Sequence, residues 1–230
     1  IYGKKKYLTD NQYGFRANHS TNMALIELID RITEEMDDKK FSLGIFIDLS
    51  KAFDTVNHKI LLEKLHLYGV RGNSLNWFSN YLSNRHQFVQ LSNTKSTTLP
   101  INCGVPQGSI LGPLLFIIYI NDITNVSKLA IPIMFADDTN LFFSDCNLTN
   151  LVNMANDELD KISLWFKLNK LSLNVKKTNF ILFRSHNSPQ QLNIDIKIDN
   201  IKIEQVHSTN FLGVINSLLT RLYLGKNIFT

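Results

Sequence analysis

Ile131-Pro-Ile-Met-Phe-Ala-Asp-Asp-Thr-Asn-Leu-Phe-Phe143 sets two aspartates between two apolar runs. Runs this short, with only two residues between them, read as strands 131–136 and 139–143 joined by a tight hairpin turn. Successive strand residues point to opposite faces, so Asp137 and Asp138 can converge on one site only from a turn. Carboxylates at the rim of so apolar a ribbon repel each other and resist burial, and a divalent cation would relieve both problems. Hard oxygen donors favour Mg2+, which typically takes one or two carboxylates plus substrate phosphates. An Asp-Asp pair is also an ordinary solvated turn, so the hairpin alone leaves both meanings open.

Working outward, residues 41–49 form a second apolar run that reads as a buried strand carrying Asp48 at its end. A charge there serves a site, or it places negative charge at the N-terminus of the helix that follows. Asp54 falls in the first turn of that predicted helix, four residues before His58, where a capping or ion-pair role is expected. An earlier helix starts near Ser20 and repeats Leu25, Leu28, Ile29, Ile32 and Met36 at helical spacing. After Asp48 come a helix with Leu61, Leu65 and Tyr68 on one face and Gly69 at its C-cap, and another over 74–82. A hairpin pairs 87–91 with 97–102, a glycine-rich loop spans 104–112, and an apolar helix runs to about Ile120. Beyond the Asp-Asp hairpin lie an amphipathic helix through Leu151, Ala155, Leu159, Ile162 and Phe166, then short strands at 171–175, 179–183, 194–198, 201–206 and 211–215.

This order of strand, helix, hairpin, helix and strand predicts an α+β fold, a ferredoxin-like split βαβ sheet with helices on one face. That arrangement would bring the end of the Asp48 strand beside the Asp137-Asp138 turn. Three strand-end carboxylates suit phosphoryl transfer with two metal ions, one lowering the pKa of a primer 3′-hydroxyl and the other holding triphosphate and pyrophosphate. They would equally serve a metal-dependent nuclease.

Composition sets outer limits. The chain has 230 residues, 44% hydrophobic and 19% charged, which describes a globular protein with a sizeable core. A net charge of +4 and a pI near 9.0 permit a polyanionic partner without demanding one. Cys103 and Cys146 lie far apart with no histidine at ligand spacing, so neither a disulfide framework nor a zinc site is expected. No apolar run is long enough to span a membrane and no signal peptide is visible, which predicts an intracellular protein of nucleus or cytoplasm, not a secreted one. The chain does not begin with methionine and reads as an excerpt of a longer protein.

Four segments occur in one order: Gln12-Tyr-Gly-Phe-Arg16 with Ser20-Thr21, Phe46-Ile-Asp-Leu-Ser-Lys-Ala-Phe-Asp54, Gly104-Val-Pro-Gln-Gly-Ser109 and Phe135-Ala-Asp-Asp138. Each is weak alone, but together they resemble the reverse transcriptases of non-LTR retrotransposons, of the jockey-like kind. The resemblance continues through Leu171-Ser-Leu-Asn-Val-Lys-Lys-Thr178 to Phe211-Leu-Gly213, nearly the whole chain. It implies an RNA-directed DNA polymerase with a right-hand palm and part of the fingers, acting on an RNA template, a DNA primer and deoxynucleoside triphosphates. Asp48 and Asp137 would ligate two Mg2+ ions, with Mn2+ as an alternative, and Asp138 would support the site. Phe53 matches the family's steric gate at the sugar 2′ position, and is also a fitting core aromatic. Gln107 and Gly108 match the loop along the incoming nucleotide and template. Arg16 matches a fingers arginine near the triphosphate, and Lys176 or Lys177 a lysine able to protonate pyrophosphate. A loop arginine or a solvated turn lysine would look the same.

The resemblance divides the chain into a partial fingers segment at 1–41, a palm at 42–213 and an unaligned tail at 214–230, with the thumb absent. Most of the fingers are missing as well. A truncated, catalytically silent remnant that at most binds nucleic acid is therefore the competing expectation.

Overall fold

A computed structural model describes residues 7–184, 194–209 and 211–212. Ser20 opens the first helix by accepting a hydrogen bond from the Met23 amide, and α1 (Thr21–Asp37) buries Ala24, Leu25, Leu28 and Ile32. Strand β1 (Phe41–Ile47) carries no charge until Asp48 follows it. One turn of 3-10 helix, Ala52–Asp54, comes next, then α2 (His58–Leu67), capped by the Asn57 side chain, and α3 (Asn73–Leu82). An arm follows, made of β2 (His86–Gln87), β3 (Gln90–Leu91), β4 (Thr94–Lys95) and β5 (Leu99–Pro100). The apolar α4 (Leu111–Ile120) leads to β6 (Ile131–Phe135), β7 (Asp138–Asp145), α5 (Leu148–Leu168) and β8 (Asn179–Phe183). Short strands β9 (Lys197–Ile198), β10 (Ile201–Lys202) and β11 (Glu204–Gln205) come last.

The main sheet has the order β11-β8-β1-β7-β6. Neighbours are antiparallel except β11, which runs parallel to β8. In the centre, β1 pairs with β7 from Phe41↔Asp145 to Ile47↔Thr139.

Both faces of this sheet are covered, not one. Leu43, Ile45, Leu141, Phe143 and Leu182 join α2, α4 and α5 in the larger core. The alternate residues Phe46, Phe142, Ile181 and Phe183 meet α1 through Leu25, Leu28 and Ile32 on the other side. The cause is visible in β1: a two-sided strand needs apolar residues at every position, and from Ser42 to Ile47 all are buried. Each fully buried Phe, Leu or Ile contributes roughly 1.5–3 kcal/mol, so the inner strands are the most firmly held part of the sheet.

Several expected strands differ: 194–198 shrinks to β9, and the hairpin of 87–91 with 97–102 divides into a β2-β5 pair and a β3-β4 pair. Residues 171–175 form only one bridge, Leu173 to Leu49. Residues 201–206 hold β10 and β11 separately, because Ile203 turns in to donate its amide to Ile196. At the end, Phe211 is buried against Phe46 with ring centroids 5.6 Å apart and lies outside any strand. Residues 213–215 and the tail 214–230 lie outside the described residues. No helix among the described residues is long and apolar enough to cross a membrane.

Candidate active site

Register brings the carboxylates together. Since Ile47 pairs with Thr139, one further step along both strands sets Asp48 level with Asp138. The backbone of Asp48 is fixed from the other side: its N–H donates to Thr178 Oγ1 (3.2 Å), and its carbonyl accepts from the Asn174 N–H (2.9 Å). Leu49 bridges Leu173, and Ser50 N–H donates to the Ser172 carbonyl (2.9 Å). No helix starts here, so Asp48 is not a helix N-terminal charge; α2 begins only at His58.

The hairpin turn is shifted by one residue from expectation. Phe135 pairs with Asp138, which makes Ala136-Asp137 the two-residue loop and Asp138 the first residue of β7. Ala136 has φ 58° and takes the strain that a glycine would avoid. Burial pushes the Asp137 carboxyl above the ordinary aspartate range, a hydrogen bond from its own backbone N–H pulls it partly back, and the Asp48 charge raises it again. Asp138 is raised by burial, then by Asp137 and Asp48. It reaches solvent, so water screens part of that repulsion. The three carboxylates thus feel one another's charge, although among the described residues no group of three His, Cys, Asp or Glu side chains is gathered tightly enough to hold a metal ion.

The Gln12 side chain braces this turn. It is 1% exposed, and its Oε1 accepts from the Ala136 N–H (3.0 Å) and the Gly14 N–H (2.7 Å) while its Nε2 donates to the Ala136 carbonyl (3.4 Å). Segment 11–13 lies along β6, with Tyr13 N–H donating to the Met134 carbonyl and Met134 N–H to the Asn11 carbonyl, both 2.8 Å. Arg16 donates to the carbonyls of Thr9 and Gln12 (2.9 Å to the latter), so in this structure it closes its own loop.

Phe53 is half-buried, stacked on Phe116 with centroids 4.4 Å apart and edge-on to the exposed Phe15 at 6.5 Å. The loop after it is stitched to the same turn: Gly104 N–H donates to the Val56 carbonyl and Val105 N–H to the Phe53 carbonyl, both 2.8 Å. Gly104 has φ 87°, and a Cβ there would come within 2.8 Å of the Asp54 carbonyl, so glycine is required. Asp54 neither caps α2 nor pairs with His58. It lies in the 3-10 turn and accepts from Gln107 Nε2 (2.7 Å), while His58 Nε2 contacts the Gly104 carbonyl (2.7 Å). Gly108 has φ 78° with open space around it.

Lys176 and Lys177 are both exposed on the turn that also holds Asp48, where Lys177 N–H and Thr178 N–H donate to the Asn174 carbonyl. A cleft of about 690 Å3 runs between the 3-10 turn and the base of the arm, lined in part by Lys51, Asp54, Arg85, Gln87 and Gln107. The three aspartates do not line it. Sequence reasoning assigned no role to Gln12 or Thr178. Their signal was only that each lay inside a quoted motif, since a side chain bonded to distant backbone leaves no local pattern.

The chain resembles known proteins along most of its length. Residues 3–216 match the family model described as reverse transcriptase (RNA-dependent DNA polymerase). The chain is 29% identical over 241 residues to a protein named probable RNA-directed DNA polymerase from transposon BS of Drosophila melanogaster, covering 99% of this chain and 26% of that protein. It is 30% identical over 185 residues to the RNA-directed DNA polymerase from mobile element jockey of the same organism, covering 75% of this chain and 19% of that one. The chain thus spans about a quarter or less of the curated relatives it matches. Among solved structures, a telomerase from Candida tropicalis, in complex with a fragment of telomeric RNA, superposes with a TM-score of 0.54 at 13% identity, covering 80% of this chain and 34% of that one. This likeness is one of fold, a mixed α/β polymerase palm and fingers. The chain belongs to the reverse transcriptase (RNA-dependent DNA polymerase) family.

Proposed function

We propose that the chain carries the catalytic palm of a non-LTR retrotransposon reverse transcriptase and performs RNA-templated DNA synthesis. The observation that carries this reading is the meeting of Asp48 and the Asp137-Asp138 hairpin at the neighbouring ends of β1 and β7. The strand order, with β1 between β7 and β8 and the β6-β7 hairpin outside, supports a ferredoxin-like split βαβ palm over 42–213, with 1–41 contributing to the fingers.

The donor set suits a divalent cation in charge and in chemistry, hard carboxylate oxygens partly desolvated and mutually repelling, but not yet in spacing, so the three side chains would have to close around the ion. Asp48 and Asp137 would hold Mg2+, or Mn2+ in its place, with Asp138 supporting them. Bound there, the ion would lower the pKa of a primer hydroxyl and neutralise triphosphate charge. The chain's own residues supply the remainder. Phe53, clamped by Phe116 behind it, stands as the sugar-edge wall that favours deoxynucleotides. Gln107 and Gly108 offer an exposed amide and open backbone along the nucleotide and template, with Lys51 and Arg85 adding positive charge in the neighbouring cleft. Lys176 or Lys177 is within the element tied to Asp48, and protonates the departing pyrophosphate. Arg16 reaches the triphosphate only by giving up its carbonyl partners, so its part in nucleotide binding is coupled to movement of its loop.

Primer extension on an RNA template with Mg2+ tests the reading. Asp137→Asn should lose on the order of a hundred-fold or more, as when other transition-state stabilisers are removed. Equal rates in the two proteins would sink it.

A further inference from the structure

We infer that Gln12 is a positioning residue for the acidic turn: its buried amide holds Ala136 by both backbone groups and so sets the direction of Asp137. The inference rests on the proposed role of Asp137.

The geometry is that of a missing strand partner. Ala136 lies in the two-residue loop, where the β6-β7 ladder supplies it with no backbone bond. One primary amide replaces that partner, accepting from Ala136 N–H and donating to its carbonyl. The same Oε1 accepts from Gly14 N–H, which locks the amide's own orientation. Gly14 completes the fit, because a Cβ there would sit 2.3 Å from the Ala136 nitrogen. Backbone pairing of segment 11–13 to Met134 anchors the brace to β6. A non-glycine residue at positive φ in a two-residue loop is a strained arrangement, and such arrangements persist where the surroundings over-determine them. Glutamine has the reach and the paired donor and acceptor for this. Glutamate would keep the bonds to both N–H groups and lose the one to the carbonyl.

The test compares Gln12→Met and Gln12→Glu with a core control, Leu28→Val, which trims α1 away from the turn. Hydrogen exchange at amides 136–138, Mn2+ binding by loss of the free-ion resonance, and primer-extension kcat and KM are read together. Gln12→Met should accelerate exchange at these amides by about ten-fold or more while the sheet's other amides keep their protection. It should weaken Mn2+ binding and lower kcat by roughly 10–100-fold, with KM for nucleotide moving less than about three-fold. Gln12→Glu should fall between Gln12→Met and the parent in exchange, and Leu28→Val should leave exchange at the turn and Mn2+ affinity unchanged. Unchanged exchange in Gln12→Met, or an equal effect from Leu28→Val, overturns the inference. If Gln12→Met does not fold, Gln12→Glu decides, since it keeps the bonds to both N–H groups and loses only the one to the Ala136 carbonyl; faster exchange than the parent at amides 136–138 is expected, and exchange equal to the parent overturns it. Asp137→Asn separates the two levels. If it binds Mn2+ as tightly as the parent chain, the metal reading fails; if it loses Mn2+ while Gln12→Met does not, only the positioning role fails.

Discussion

Two hairpins in this molecule turn on the same local device and have opposite surroundings. In the arm, Leu91 pairs with Thr94 around Ser92-Asn93; in the sheet, Phe135 pairs with Asp138 around Ala136-Asp137. Both loops have two residues, and both place a non-glycine residue at positive φ first, Ser92 at 51° and Ala136 at 58°. Every residue from His86 to Pro100 is exposed, whereas β7 is buried from Thr139 to Phe143 and lies between β1 and β6. The turn does not decide which hairpin becomes the candidate site. What decides it is a rigid, two-sided sheet beneath and a brace above, which let a carboxylate be held where its own repulsion opposes it.

The largest expected effect breaks the comparison at its base. Phe142 is 1% exposed and faces α1, so Phe142→Ala should cost about 3–5 kcal/mol in urea unfolding. Leu91→Ala in the arm, where Leu91 is 78% exposed, should stay within about 0.5 kcal/mol. Similar losses would mean that the arm packs as firmly as the sheet.

Second in size is a gain. Asn140 is fully buried on the α1 side of β7, and among the described residues neither its Oδ1 nor its Nδ2 has a partner. Asn140→Leu removes two unsatisfied groups from an apolar face and should stabilise the protein by roughly 1–3 kcal/mol. A loss of stability would show that this amide is paired in solution, and that the face beneath the acidic turn is wetter than it looks.

These buried positions also show what the sequence could and could not announce. Period and capping residues located α1, α2, α3, α4 and α5 closely, because Ser20, Gly69 and the spacing of Leu151, Ala155 and Leu159 act within one element. The unbroken apolar run of β1 already carried the signal for two-sided burial, though strand–helix order suggested helices on one face. The Asp137-Asp138 turn was misplaced by one residue because alanine is a poor marker for positive φ, and the bonds that hold Ala136 come from Gln12, far away in the chain. Asp54 was assigned to the wrong helix although Thr55, Val56 and the cap Asn57 separate the 3-10 turn from α2; the distant bonds from Gly104 and Val105 that fix this turn leave no local pattern. The stitching of Asp48 to Thr178 spans 130 positions and leaves no trace in local spacing.

A smaller effect concerns charge. The Asp137 carboxyl has a raised pKa in the folded chain, so folding binds its proton more tightly than the unfolded chain does. Its contribution is then favourable below the ordinary value of 3.8, is lost as pH rises through the raised folded value, and stays a constant penalty above it. Asp137→Asn should therefore unfold at a higher temperature than the parent at pH 7, and the difference should shrink as pH falls toward 4. Millimolar Mg2+ should raise the parent's melting temperature and leave that of Asp137→Asn unchanged. An Asn variant that melts lower at pH 7 would mean that the charge is compensated within the fold.

The smallest effect separates the two turns most directly. Glycine at a left-handed position removes about 1–2 kcal/mol of steric cost. It also restores roughly 0.5–1 kcal/mol of unfolded-state freedom, so the net gain is small. Ser92→Gly and Ala136→Gly should each stabilise by about 0.5 kcal/mol, and on that measure the hairpins look identical. Their coupling to Gln12 tells them apart. Ser92 has no contact with Gln12, so its effect should add to that of Gln12→Met within about 0.5 kcal/mol. Ala136 is held by that amide through two backbone bonds, so the freedom introduced by glycine is restrained while Gln12 is present and released when it is gone. The Ala136 cycle should show a coupling of about 0.5 kcal/mol or more. Additivity at both turns would place the rigidity of the acidic hairpin in its ladder alone. Coupling at Ala136 only would locate it in the contact between a residue at the start of the chain and a turn more than half the chain away.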